Sequence, residues 1–144
     1  MTTVNTLLTQ KGRKIWSIQP SASVFEALEM MAEKNISGVL ILENEKLVGI
    51  FTERDYARKL ILKGRFSKDT KVSELMTKNV LYVGTQSTIN ECMTLMTTKR
   101  IRHLPVISNG HLIGIVTIGD LVNQIISEQE SAIHHLENYI SGGY

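Results

Sequence analysis

The stretch LVGIFTERD at residues 47–55 returns as LIGIVTIGD at residues 112–120. In each, an apolar run containing a glycine stops at a threonine, and an aspartate follows three positions later. The two stretches belong to a longer register. SIQPSASVFEALEMMAEKNISGVLILENEKLVGIFTERDYARKLIL, beginning at Ser17, aligns without a gap on YVGTQSTINECMTLMTTKRIRHLPVISNGHLIGIVTIGDLVNQIIS, beginning at Tyr82, at an offset of 65. Identical pairs include Glu26/Glu91, Met31/Met96, Ile36/Ile101, Asn44/Asn109, Gly49/Gly114, Thr52/Thr117 and Asp55/Asp120. Upstream the match resumes at an offset of 68, TVNTLLT at 3–9 against KVSELMT at 71–77, so the first copy carries three extra connector residues. A register held over this length is a tandem duplication.

Both copies read alike. A short strand comes first, Ile15–Ile18 or Leu81–Val83. Ser23 with Glu26, and Thr88 with Glu91, then form capping boxes that open a helix. Within it Val24, Ala27, Leu28 and Met31, or Ile89, Cys92, Met93 and Met96, recur at helical spacing. That periodicity puts Cys92 on the buried face, as a small hydrophobe. Two β-rich runs follow, VLIL with LVGIF and LPVI with LIGIVT, joined by ENEK and SNGH. Asn109-Gly110 is a strong hairpin signal. A second helix starts at each T-x-x-D, and Lys63-Gly64 stops the first of these. The unit is β-α-β-β-α. One unit has too little interior to stand alone, whereas two can bury their sheets against each other. The predicted fold is therefore α/β (α+β), with two pseudo-symmetric repeats packed sheet to sheet. Repeat 1 spans 1–66, repeat 2 spans 67–127, and a helical tail spans 128–144. In that tail Ile133, Leu136 and Ile140 make one apolar stripe, set against the body or against a second subunit.

Composition bounds the function. At 144 residues, with 42% hydrophobic and 21% charged residues, the chain is that of an ordinary globular protein. A net charge of +2 is too weak to imply nucleic acid. One cysteine excludes an internal disulfide framework and a multi-cysteine zinc site. No run approaches the roughly 18 apolar residues of a membrane span. An intracellular, cytoplasmic setting is the expectation.

The T-x-x-D pair has a plain structural reading: threonine at the N-cap and an acid at N3. A second reading is compatible with it. A helix N-terminus offers unpaired N–H groups and the positive end of a dipole to a phosphate. A carboxylate one turn in can accept two vicinal ribose hydroxyls, as the acidic residue of dinucleotide folds does. No HExxH, P-loop or GxSxG motif accompanies the pair, and adjacent His134 and His135 diverge by about 100° on a helix. Catalysis and metal binding are therefore not expected.

Two β-α-β-β-α units, each ending in G-h-x-T-x-x-D, preceded by V-x-x-L-M-T and joined by a short linker, resemble a pair of cystathionine β-synthase (CBS) domains. The resemblance covers about Val4 to Ser127. It implies a stand-alone regulatory module that holds AMP, ADP, ATP, NAD(H) or S-adenosylmethionine in clefts between its halves. It also implies a homodimer acting on an unidentified regulated protein. Family roles carry over to Thr52 and Thr117 at phosphate and to Asp55 and Asp120 at ribose. The strand before each first helix (Lys14, Trp16 and Ser17; Val80 and Tyr82) and the start of each second strand (Gly38 and Val39; His103, Leu104 and Pro105) would wall the adenine slot, with plain core the alternative for Val39 and Leu104. Arg54, Arg58 and Arg102 are candidate phosphate cations, and Gly38 and Gly119 would permit close approach. Lys59 reads as solvated surface charge. TERD against TIGD, and SGVL against RHLP, make the two clefts unequal. The rival readings are an adaptor with vestigial clefts and, against the near-neutral charge, a nucleic-acid binder.

Overall fold

A computed structural model of the chain describes residues 1–140. The first copy holds α1 (Val4–Lys11), β1 (Ser17–Ile18), α2 (Val24–Lys34), β2 (Gly38–Glu43), β3 (Lys46–Thr52) and α3 (Glu53–Lys59). Three short 3-10 turns cross the linker, and the second copy holds α4 (Ile89–Lys99), β4 (His103–Ser108), β5 (His111–Thr117) and α5 (Ile118–Ile140). The local chemistry sets these boundaries. Ser23 Oγ accepts from Glu26 N at 3.0 Å and Thr88 Oγ1 from Glu91 N at 3.1 Å, so α2 and α4 start at the expected N-caps, with the reciprocal half of the capping box not formed at either. Both end on a left-handed residue, Asn35 or Arg100. The two hairpins turn on consecutive positive-φ residues, Asn44-Glu45 and Asn109-Gly110, the conformation that matches strand twist.

The first sheet has the order β1-β2-β3, with β1 parallel to β2, and the second pairs β4 with β5. The expected strand at Leu81–Val83 shrinks to a single bridge, Val83 to Val106. The reason is Pro105. In the first copy Leu40 N donates to Trp16 O at 3.2 Å, and the residue at Leu40's place in the second copy is Pro105, which has no N–H to offer Leu81.

The two copies trade their leading segments. Val4, Leu7 and Leu8 of α1 sit in the core of the second copy with Ile89, Cys92, Leu104 and Val116. Val72 and Leu75 sit in the core of the first with Val24, Val39 and Phe51. Backbone bonds tie each segment down: Val4 N to Ser87 O and Ile89 N to Thr2 O, then Val72 N to Ala22 O and Thr77 N to Ile50 O. The shared Gly49/Gly114 of the repeat makes room for this exchange. A Cβ on Gly114 would stand 2.9 Å from Leu8, and one on Gly49 would stand 2.4 Å from Met76 and 3.1 Å from the Thr77 carbonyl. Sheet meets sheet where β3 lies against β5.

The helix after the second T-x-x-D and the tail form one element. α5 runs 23 residues, through Ser127 without a break, because neither glycine nor proline follows Gly119, which lies in its first turn. Glu128 receives the Thr2 hydroxyl. Beyond it the stripe leaves the body, with Ile133 55%, Leu136 61% and Ile140 82% exposed. The last four residues of the expected tail, 141–144, lie outside the described residues.

Candidate functional site

The two T-x-x-D motifs occupy equivalent places, each at the end of a hairpin strand and the start of a helix. Glu53 N donates to Ser37 O at 3.1 Å and Ile118 N to Arg102 O at 3.0 Å, which fastens each second helix beside the first residue of β2 or β4. Both motifs are reciprocal caps. Asp55 N reaches Thr52 Oγ1 at 3.3 Å while Thr52 N reaches Asp55 Oδ2 at 3.0 Å. Asp120 N reaches Thr117 Oγ1 at 3.2 Å while Thr117 N reaches Asp120 Oδ2 at 2.9 Å. The cap and the aimed helix end are thus one arrangement.

These ends converge where the copies meet. Ser37 Oγ and His103 Nε2 are 3.1 Å apart, and Arg54 donates to the Arg100 carbonyl at 2.9 Å. A Cβ on Gly38 would lie 3.1 Å from the His103 ring and 3.2 Å from the Thr52 methyl, so Gly38 is needed for close approach between the copies. Burial holds the His103 pKa down, and neighbouring Arg102 adds to the effect, so the imidazole is neutral at pH 7.

Other expected residues fall elsewhere. Val39 and Leu104 are fully buried in the two cores, as the plain-core alternative for their side chains had it, and Pro105 is buried beside Leu104. Trp16 is half-buried at the start of the first sheet, with the ammonium groups of Lys14 and Lys34 4.5 Å and 4.4 Å from its ring. Ser17 pairs with Leu40 across β1 and β2. Val80 is half-buried, while Arg58, Tyr82, Arg102 and Gly119 are exposed. Cys92 is buried, and loss of solvation pushes its thiol up to about 11, so it is a core group and not a nucleophile.

The carboxylates carry partners that the sequence reading missed. Lys59, taken there for solvated charge, pairs with Asp55 Oδ1 at 2.9 Å, and Thr77 donates to the same oxygen at 3.3 Å. Asp55 is only 8% exposed. Asp120 is paired instead with Lys11 of α1, Nζ to Oδ2 at 2.5 Å, and Lys11 also donates to Ile115 O. The i,i+4 spacing of Asp55 and Lys59 was a usable signal. Nothing local could have indicated Lys11, because it arrives through the segment exchange.

An open concavity of about 800 Å³ lies at the other end of the first sheet, among Ser17, Pro20, Glu43, Glu45 and Lys71. It contains neither T-x-x-D motif, and it is lined by the ends of β1 and β2 and by turn residues. Among the described residues no cluster of three or more His, Cys, Asp or Glu is placed to hold a metal, and no helix is long and apolar enough to cross a membrane.

The CBS domain family model matches residues 12–62 and 72–127. The mitochondrial CBS domain-containing protein CBSX3 of Arabidopsis thaliana is 37% identical over an alignment spanning 99% of this chain and 74% of that protein. A solved CBS-domain protein from Burkholderia ambifaria is 46% identical and superposes with a TM-score of 0.87, covering 89% of this chain and 96% of that one. The CBS domain pair of protein MJ0100, solved with 5′-methylthioadenosine and S-adenosyl-L-methionine, is 25% identical, with a TM-score of 0.77 over 89% of this chain and 98% of that one.

Proposed function

The chain belongs to the CBS-domain family and carries the domain twice, and from that premise we propose that it is a regulatory sensor of adenosyl nucleotides that acts on a partner protein. The ligand class is AMP, ADP, ATP, NAD(H) or S-adenosylmethionine. The observation that carries this is the duplicated T-x-x-D cap, which sets a carboxylate and a helix N-terminus at the junction of the two copies. A carboxylate recognises vicinal ribose hydroxyls and a helix end recognises phosphate, so together they read a nucleotide without chemistry on it. The adenosyl ligands of the MJ0100 pair support the same class.

A ligand at the junction of two separately cored units has a route to regulation. It shifts their mutual arrangement by as much as it prefers one arrangement over another. The regulated species is a homodimer. Ile61 and Leu62 after α3, Ile126 at Ile61's equivalent place, and Leu136 and Ile140 beyond are exposed apolar groups that a second copy would cover. The setting is intracellular, where such nucleotides are held.

The test is thermal unfolding of the purified chain with each of the five nucleotides, and with GMP as control. A ligand present at about 100 times its Kd adds roughly 2.7 kcal/mol of stability, a shift of several degrees. At least one adenosyl ligand should give that shift and GMP should not. No shift with any of the five at millimolar concentration refutes the reading.

A further inference from the structure

We propose that the two clefts divide the work: the ribose is taken by Asp120, Asp55 is a structural carboxylate, and Lys11 of α1 is the group with which the ribose competes. This rests on the adenosyl reading above and sharpens it.

A carboxylate offers about four acceptor directions. On Asp55 all four are in use. Oδ2 takes the backbone N–H and the hydroxyl of Thr52, and Oδ1 takes Lys59 and Thr77. Two ribose hydroxyls could enter only by breaking bonds to a group already out of water, and the exchange gains nothing. On Asp120 the bonds fall on one oxygen. Oδ2 takes Thr117 N and Lys11, no described hydrogen bond reaches Oδ1, and the side chain keeps 22% of its surface exposed.

The difference is written in the residues that the duplication did not keep. Lys59 is replaced at its equivalent place by Gln124, which bonds Glu128 instead. Thr77 corresponds to Thr9, but Thr9 lies inside α1 and turns its hydroxyl back to Asn5 O at 2.9 Å, away from Asp120. Arg54 precedes Asp55, whereas Gly119 precedes Asp120, and a Cβ there would meet nothing closer than Thr117 Oγ1 at 3.7 Å. The approach to Asp120 is therefore open. The helices differ as well: α3 has 7 residues behind its cap and α5 has 23.

Lys11 gives the open cleft a readout. Its ammonium bridges Asp120 and Ile115 O, the last tie of α1 to the second copy. A ribose that takes over Asp120 weakens that tie and leaves Lys11 on the carbonyl alone, so occupancy is felt at the end of the exchanged helix.

Equilibrium dialysis with AMP and with uncharged adenosine tests this on the full chain. The unsubstituted protein should bind one AMP per chain. Asp120→Asn should weaken AMP at least tenfold, and Asp55→Asn should change its affinity less than threefold. Lys11→Met should tighten adenosine at least threefold, because the competing ammonium is gone and no phosphate is present to miss it. Two AMP per chain, a count that does not depend on any variant folding, overturns the division. So does loss of binding in Asp55→Asn with retention in Asp120→Asn, or an unchanged adenosine affinity in Lys11→Met. Each of these leaves the adenosyl reading standing. If the unsubstituted chain binds neither probe, the division falls, and the adenosyl reading falls with it only if thermal unfolding shows no shift with any of the five ligands.

Discussion

Consider Asp55→Ala beside Asp120→Ala, two changes that look identical in the repeat. Each removes the acid of a reciprocal helix cap, a loss of about 1 kcal/mol. Asp55 loses more, because its carboxylate is buried and also holds Lys59 and the Thr77 hydroxyl. Hydrogen bonds to a charged group contribute about 1.5–3 kcal/mol each, and Lys59 recovers part of its share by turning to water. The net cost of Asp55→Ala is about 2–3 kcal/mol, against about 1 kcal/mol for Asp120→Ala, whose partner Lys11 is freed to solvent. Urea unfolding at pH 7.5, at one protein concentration for all variants, reads the difference. With a slope of about 2 kcal/mol per molar, the midpoint should fall by about 1 M or more for Asp55→Ala and by about half that for Asp120→Ala. Equal shifts, or the larger shift in Asp120→Ala, would refute the claim that the first carboxylate is structural.

Gly114→Ala should cost about 1–3 kcal/mol, because its methyl drives into Leu8 where α1 crosses β5; the double variant with Leu8→Ala should lose less than the sum of the two single losses in the same unfolding assay. His103 is held neutral by burial, so the folded chain binds fewer protons there than the unfolded chain. Stability is then full above about pH 6.5 and falls as pH drops through 6.5 toward the lowered folded value, and His103→Gln should flatten that slope between pH 7.5 and 5.5. Glu74, lowered from the ordinary carboxylate range chiefly by its bond from Arg65, titrates below that window. Leu136→Glu should shift the chain from dimer toward monomer in light scattering; an unchanged mass would separate dimerisation from the stripe of α5.

The repeat, the helix starts at Ser23 and Thr88, the Asn109-Gly110 turn and the buried face of Cys92 were all legible, because each follows from local spacing or from one residue's conformational preference. Pro105 could have foretold the missing strand at Leu81: the repeat aligns it with Leu40, whose N–H makes the β1 bond. The continuity of α5 was legible too, since Ser127-Glu128-Gln129 holds no helix breaker. The exchange of leading segments was not. The apolar residues of TVNTLLT and KVSELMT say that they must be buried, but not in which copy. Part of what separates the two carboxylates depends on that exchange, beside the local pairs Lys59/Gln124 and Arg54/Gly119. The exchange brings Lys11 to Asp120 and Thr77 to Asp55, and it leaves the exposed Thr9 with its hydroxyl on the Asn5 carbonyl of its own helix.

Isothermal titration of the unsubstituted chain with AMP, ADP, ATP, NAD(H) and S-adenosylmethionine reaches the central claim most directly. The account predicts saturable binding of at least one of them, at one site per chain, abolished or weakened at least tenfold by Asp120→Asn. Titrations without heat for all five, repeated at two temperatures so that a vanishing enthalpy cannot hide binding, would contradict it.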